Sequence, residues 1–316
     1  MARVAAVTSG APILSGNRWQ PTDLIRLRGV MALTSGRPDV VVGVIDGPVA
    51  LDHPDLRSAN VHVLPGADTP SRDADSMAAY THGTFTFGIL AARRGAAAPA
   101  IAPTCTFLSR AVLLDGASLD ATPSASWSTL AEAIVQCVDA GARLLNLSVT
   151  VLGSVLSINP ALQEALEYTR RRGVLVVSAA GNQGMKESST ISSHPWLLPV
   201  VAYSCDGGAL PSSGLSPTIG RWGIGSPGDG VVSLNPGGQF SVSSGTSIAA
   251  AFVTGTAALL WSLHPTAGPT DIKRAVLASA GTQRKTIIPP LLDAWRAYHI
   301  LSAATGKGRC HERSAI

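Results

Sequence analysis

Short apolar runs rich in β-branched residues alternate with longer amphipathic stretches between residues 40 and 180. The apolar runs are typical of strands buried on both faces, and the stretches between them have the apolar spacing of helices. Strands are predicted over 40–45, 111–114, 144–149 and 174–177, and helices over 130–140 and 160–172. This alternation predicts a parallel sheet with right-handed crossovers.

The longest apolar stretch, 243–263, opens with small and hydroxyl residues. Its apolar part is shorter than the roughly 20 residues that a membrane span requires. Thr254, Gly255 and Thr256 interrupt it, so the pattern favours a buried central helix. Ser247 stands near the predicted helix start, where a lone serine is most often an N-cap and a nucleophile only when a base lies nearby.

Two further polar residues lie at the ends of predicted elements. Asp46 follows the strand 40–45, although Asp-Gly-Pro on its own is an ordinary turn. His82 is expected in the first turn of a helix that begins near Tyr80. Together with Ser247 they match a chemistry in which serine attacks, histidine takes its proton and aspartate stabilises the imidazolium. Asn182 adds a side-chain donor suited to a developing oxyanion.

Four local sequences occur in an order that resembles the subtilase (subtilisin-like) serine proteases. They are Val44-Ile45-Asp46-Gly47 with Asp52-His53-Pro54-Asp55-Leu56, then His82-Gly83-Thr84, then Ala179-Ala180-Gly181-Asn182, and then Ser244-Gly245-Thr246-Ser247-Ile248-Ala249. The order Asp, His, Ser is that of subtilisin. The resemblance covers roughly 25–300 and implies an α/β fold of three layers, with a mainly parallel central sheet flanked by helices. It divides the chain into an N-terminal extension (1–24), a peptidase domain (25–303) and a flexible tail (304–316).

The resemblance also assigns roles to individual residues. Asp46 is the orienting acid, His82 the general acid and base, Ser247 the nucleophile and Asn182 the oxyanion donor. The expected substrate-binding residues are uncharged: Ser148, Val149, Thr150, Ala179, Ala180, Gly181 and Ser193. Because a buried unpaired cation is costly, we expect cleavage after small or medium uncharged residues rather than after Arg or Lys.

The chain departs from the family pattern at three places. The family's Ser-x-Gly-Gly is replaced at 148–151 by Ser-Val-Thr-Val, whose larger side chains are expected to narrow the cleft. Ala251 stands where the family has proline. Residues 93–100 contain no side-chain oxygen, whereas calcium takes six to eight oxygen ligands, so we expect no calcium site and no cofactor.

Parts of the sequence resemble one branch of the family, the subtilases that mature cyanobactins and similar ribosomally made peptides. The similar segments are 45–49, 130–147, 163–181 and the Ser-Gly-Thr-Ser block. This predicts a serine endopeptidase that processes a precursor peptide. The alternative is a catalytically silent subtilase fold that binds a peptide or partner, although such a protein has no need to retain Asp46, His82, Asn182 and Ser247. A nucleotide-binding Rossmann domain is discarded because no glycine-rich turn follows the first strand.

The composition bears on the partners and the cellular location of the protein. With 24 Lys and Arg against 20 Asp and Glu, the net charge of +4 gives no reason to expect nucleic acid as a partner. The four cysteines, in no metal-binding spacing, fit a reducing compartment. The N-terminus lacks the apolar core of a signal peptide, so we expect a cytoplasmic enzyme that acts on peptides, away from membranes.

Overall fold

The computed structural model describes residues 5–6, 20–66, 77–113, 125–149, 159–184, 191, 194–281 and 286–312. Its main sheet has seven strands in the order β3-β4-β2-β5-β6-β7-β8, and neighbouring strands pair in parallel. The strands are β2 (Val41–Asp46), β3 (Asn60–Val63), β4 (Thr106–Ala111), β5 (Leu144–Leu147), β6 (Leu175–Ala179), β7 (Leu197–Tyr203) and β8 (Ile224–Pro227). Residue Asp46 therefore ends a strand near the middle of the sheet.

Helices cover both faces of this sheet. The helices are α1 (Pro21–Leu24), α2 (Leu27–Leu33), α3 (Met77–Ala91), α4 (Trp127–Asp139), α5 (Pro160–Arg171), α6 (Pro217–Trp222), α7 (Thr246–Leu263), α8 (Pro269–Ser279) and α9 (Ala294–Glu312). Successive residues of β2 point to opposite faces: Val42 and Val44 join the core that contains α3 and α7, and Ile45 joins the core that contains α4 and α5. The predicted three-layer α/β architecture is confirmed.

A second, antiparallel sheet leads the chain into α7. It has the order β1-β10-β9, with β1 at Ala5–Ala6, β9 at Val231–Asn235 and β10 at Gln239–Ser243. Only Ser244 and Gly245 separate β10 from α7. The small sheet therefore fixes where α7 begins.

Helix α7 is the buried central helix that the apolar run predicts. In the described part of the chain it is the one helix long and apolar enough to cross a membrane, but 94% of that segment is buried inside the protein. Gly255 lets it approach the loop between α3 and β4, since a Cβ there would lie 2.7 Å from Ile101 Cγ2. A helix that is apolar on all sides and enclosed by other elements is typical of a protein core.

The structure corrects two predicted elements. The strand predicted over 111–114 lies earlier, as β4, and Leu114 is outside the described residues. The misleading feature is Arg110, which is buried in β4 because its guanidinium donates to Gln136 Oε1 at 2.6 Å. Helix α3 begins at Met77, so His82 lies in its second turn, not its first. Helix α9 continues to Glu312, and the division into extension, domain and tail stays a prediction.

Candidate active site

Three elements bring the predicted chemistry together at the carboxyl edge of the main sheet. Asp46 is the last residue of β2, His82 projects from α3, and Ser247 is in the first turn of α7. Open parallel sheets place their binding sites outside the carboxyl ends of the strands. The structure thus joins residues that lie up to 201 positions apart in the sequence, as 247 minus 46 gives.

Two glycines allow the turn after β2 to contact α3 backbone to backbone. A Cβ on Gly47 would lie 1.9 Å from the carbonyl oxygen of Ala79. A Cβ on Gly83 would lie 2.3 Å from the carbonyl oxygens of both Gly47 and Pro48. Any larger residue at either position would push Asp46 away from His82.

The three side chains form a continuous line of hydrogen bonds. His82 Nδ1 lies 2.5 Å from Asp46 Oδ1, and His82 Nε2 lies 3.0 Å from Ser247 Oγ. A carboxylate only accepts, so Nδ1 carries the hydrogen and the neutral ring leaves Nε2 as the acceptor for the Ser247 hydroxyl. Asp46 is fully buried, whereas the His82 side chain is 30% exposed and can be reached from outside.

The buried pair favours the charged form of each partner. Burial alone lowers the pKa of His82, but the charge of Asp46 and the hydrogen bond to it outweigh burial and raise that pKa above 6.5. Burial raises the pKa of Asp46, yet His82 and several hydrogen bonds hold it below its ordinary value. Asp46 is therefore an anion wherever His82 titrates.

Further donors hold the Asp46 carboxylate in place. The Gly47 N–H donates to Oδ1 at 2.6 Å, and the Thr86 hydroxyl donates to Oδ2 at 2.8 Å. The Ser148 hydroxyl bonds to the same carboxylate. A carboxylate with this many donors is fixed in position as well as in charge.

A buried chain of hydrogen bonds also connects this carboxylate to the serine helix. Asn146 Nδ2 donates to Ser148 Oγ at 2.8 Å, and Thr254 Oγ1 donates to Asn146 Oδ1 at 2.8 Å. Thr254 lies on α7, seven residues after Ser247 and on the same helical face. Sequence reasoning missed Asn146, Thr254 and Thr86. For Thr86 there was a signal, since it stands four residues after His82 on one helix.

The amide oxygen of Asn182 is hydrogen-bonded at the start of α7. This Oδ1 atom accepts from the Thr246 N–H at 2.9 Å and from the Thr246 hydroxyl at 3.1 Å, and the Gly181 N–H donates to that hydroxyl at 3.1 Å. Because the oxygen is occupied, Nδ2 remains as the donor, and a Cβ on Gly245 would lie 3.3 Å from it. The Ser247 N–H belongs to the first turn of α7 and has no partner within the helix, so it is a second candidate donor.

The structure describes five of the seven predicted substrate-binding residues. Ala179 and Ala180 are buried and Gly181 has a φ of 100°, beside Asn182. The Ser148 hydroxyl is directed at Asp46, and the Val149 side chain packs into the core with α4 and α5. Thr150, Val151 and Ser193 lie outside the described residues. The narrowing of the cleft, predicted from Thr150 and Val151 in place of two glycines, therefore stays a prediction.

The loop expected to lack calcium ligands carries an ion pair. Arg93 Nε lies 2.5 Å from Asp55 Oδ1, and the Arg93 N–H donates to the carbonyl oxygen of Asp55 at 2.9 Å. Among the described residues, no group of three His, Cys, Asp or Glu side chains is arranged to hold a metal ion.

Comparison with known proteins identifies the fold and the family of this chain. The architecture is the subtilisin-like α/β fold, with the parallel sheet between two helical layers. The chain belongs to the subtilase family, whose profile matches residues 37–308. A thermophilic serine proteinase from Bacillus sp. (strain AK1) is 32% identical over 231 residues, which are 72% of this chain and 53% of that protein. The chain thus spans about half the length of this curated relative.

Two similar solved structures are those of maturation proteases. A mutant of the protease domain of PatA is 30% identical with a TM-score of 0.79, covering 85% of this chain and 97% of that one. The prenylagaramide maturation protease PagA is 28% identical with a TM-score of 0.76, covering 87% of this chain and 98% of that one.

Proposed function

We propose that the protein is a serine endopeptidase in which Ser247, His82 and Asp46 act as a catalytic triad. The observation that carries the proposal is the line of hydrogen bonds from Ser247 Oγ through the His82 ring to Asp46. Family membership supports it, because the curated relative and the structural neighbours are proteases.

In the proposed reaction, Ser247 Oγ attacks the carbonyl carbon of the scissile peptide bond. His82 Nε2 takes the hydroxyl proton as the C–O bond forms, and Asp46 stabilises the imidazolium. The same proton then passes to the leaving amine as the C–N bond breaks, which leaves an acyl group on Ser247. In the second half, His82 takes a proton from a water molecule whose oxygen attacks the acyl carbon. The bond between that carbon and Ser247 Oγ then breaks, and the proton passes from His82 to Oγ, which releases the acid and restores the serine.

Asn182 Nδ2 and the Ser247 N–H are proposed to stabilise the oxyanion. Thr246 holds the Asn182 amide through its oxygen, so the nitrogen is already oriented before substrate binds. Preorganised donors of this kind lower the barrier because they need no reorganisation during the reaction. In subtilisin, loss of the side-chain donor reduces turnover by roughly 100- to 1000-fold.

The proposed substrate is a precursor peptide of a ribosomally made natural product. The names of two structural neighbours, a patellamide maturation protease and a prenylagaramide maturation protease, support this assignment. The described residues beside Asn182 are uncharged, namely Ala179, Ala180 and Gly181. They support cleavage after a small or medium uncharged residue, because a buried cation would have no counter-ion there.

Mass spectrometry of cleavage products tests both the activity and the substrate class. Purified protein is incubated with precursor peptides encoded near its gene and with an unbiased peptide library, and Ser247→Ala is the control. We expect a few defined cuts after uncharged residues, which the control lacks. A dominant preference for Arg or Lys would contradict the proposed pocket, and an absence of cuts in every peptide would favour the alternative, a silent peptide-binding subtilase fold.

We also propose that the protein works in a reducing compartment such as the cytoplasm. Cys105, Cys137 and Cys205 are free thiols, and Cys205 is exposed. Proteins of oxidising compartments rarely keep an exposed free thiol. Fractionation of the native cells, followed by immunodetection in the soluble and secreted fractions, tests this.

A further inference from the structure

The carboxylate of Asp46 forms hydrogen bonds with two side chains of helix α3. His82 binds Oδ1, and Thr86 donates from its hydroxyl to Oδ2 at 2.8 Å. Residues four apart on a helix lie on the same face, so α3 presents the imidazole and the hydroxyl side by side. Thr86 is 2% exposed and its hydroxyl is used by Asp46, not by the helix backbone.

We propose that Thr86 is a positioning residue for the reaction and sets the strength of the Asp46–His82 interaction. This inference rests on the proposed function, because it concerns how the same triad is tuned. Thr86 does not touch the reacting atoms and acts only through Asp46.

The physical reason lies in the two oxygens of the carboxylate. A hydroxyl that donates to Oδ2 draws negative charge toward that oxygen and leaves less on Oδ1 for the imidazolium. It also prevents rotation of the carboxyl group about its Cβ–Cγ bond, since both oxygens then have fixed partners. Within the described residues, His82 is the charged or titratable neighbour that acts on Asp46, and the other donors, Gly47, Thr86 and Ser148, are neutral.

Loss of the Thr86 hydroxyl should therefore change the protonation of His82 in a defined direction. Gly47 and Ser148 still hold the carboxylate, so its bond to His82 persists. Because Oδ2 then accepts one hydrogen bond fewer, more of the negative charge lies on Oδ1, which faces the His82 ring. The imidazolium form of the ring becomes more stable as a result. His82 should therefore lose its proton at higher pH, so that less of the protein carries the unprotonated, active ring at a given pH below the midpoint.

The test compares Thr86→Val with Thr86→Ser and with Thr169→Val. Valine keeps the shape without the hydroxyl, and serine keeps the hydroxyl. Thr169 is a matched control because it is a fully buried helical threonine on α5, and its hydroxyl donates to the Leu166 carbonyl, remote from Asp46. Two quantities are measured against pH: the rate at which a fluorophosphonate labels Ser247, and the NMR titration of the His82 ring.

For Thr86→Val we expect the midpoint of both curves to rise by about half a pH unit. Thr86→Ser and Thr169→Val should retain the wild-type midpoint. An unchanged or lowered midpoint in Thr86→Val overturns the inference, as does an equal rise in Thr169→Val. If Thr86→Val does not fold, Thr86→Ala is measured in its place against the same criteria.

The two readouts separate this inference from the proposed function. Wild-type protein that no fluorophosphonate labels would contradict the proposed peptidase. The NMR titration of His82 would still measure the effect of Thr86, because it requires no turnover.

Discussion

At the scale of single residues, the site depends on a buried carboxylate that remains charged. Burial disfavours the Asp46 anion, and the structure offsets this with His82, Thr86, Ser148 and the Gly47 N–H. The result is a fixed negative charge directed at one ring nitrogen. The other ring nitrogen is then left to accept the proton of Ser247.

This arrangement predicts the direction of the pH dependence. The Asp46 charge raises the pKa of His82 above 6.5, and only the unprotonated ring can act as base. We therefore expect kcat/KM for peptide hydrolysis to rise with pH through a midpoint above 6.5. Asp46, whose pKa is lowered, stays ionised over this range and adds no second step. A flat profile, or a midpoint below 6.5, would show that His82 is not the base.

At the scale of elements, the contact between the turn after β2 and helix α3 positions the acid and the base. Gly47 and Gly83 make this contact possible, because neither has a side chain to separate the two backbones. The same helix carries His82 and Thr86, so any movement of α3 displaces both partners of Asp46 together.

Gly83→Ala should therefore reduce both stability and activity. The added Cβ would meet two carbonyl oxygens at 2.3 Å, and overpacking of this kind typically costs about 1–3 kcal/mol, more than the roughly 1 kcal/mol gained in helix propensity. Gly306→Ala is the matched control, since it lies in helix α9 with nothing within 4 Å of its Cβ. Urea unfolding and peptide turnover measure the two effects. Equal stability of the two variants would show that the backbones are not in close contact.

The sequence predicts most of the elements because their apolar periodicity is strong. It misplaces β4 because Ser109 and Arg110 interrupt that strand, and a buried arginine is recognisable only when its partner Gln136 is known. Thr150 and Val151, from which a narrowed cleft is predicted, lie outside the described residues, so that part of the site stays a prediction.

At the scale of the whole molecule, one parallel sheet and its two helical layers bring together residues from four distant parts of the chain. The identities of Asp46, His82, Asn182 and Ser247 were predicted from short motifs in a characteristic order. The supporting residues Thr86, Asn146 and Thr254 were not, because their roles arise from contacts between α3, β5 and α7.

The whole fold is also predicted to be independent of calcium. Residues 93–100 offer no side-chain oxygen, and Asp55 is already paired with Arg93. Thermal unfolding with and without a strong calcium chelator should give the same Tm. A decrease of many degrees on chelation, restored by added calcium, would reveal a site outside these residues.

Arg93→Met should lower the free energy of unfolding by no more than about 1 kcal/mol, since the Arg93 side chain is 60% exposed.

The central claim, that Ser247 is an activated nucleophile, is tested most directly by fluorophosphonate labelling of the folded protein. Ser262→Ala is the matched control, because Ser262 is a buried serine on the same helix whose hydroxyl donates to the Ala258 carbonyl. We predict that wild-type protein and Ser262→Ala are labelled to one probe per chain, with the probe on Ser247, and that Ser247→Ala is not labelled. Folded wild-type protein that resists labelling, or Ser247→Ala labelled as fast as wild type, would contradict the account.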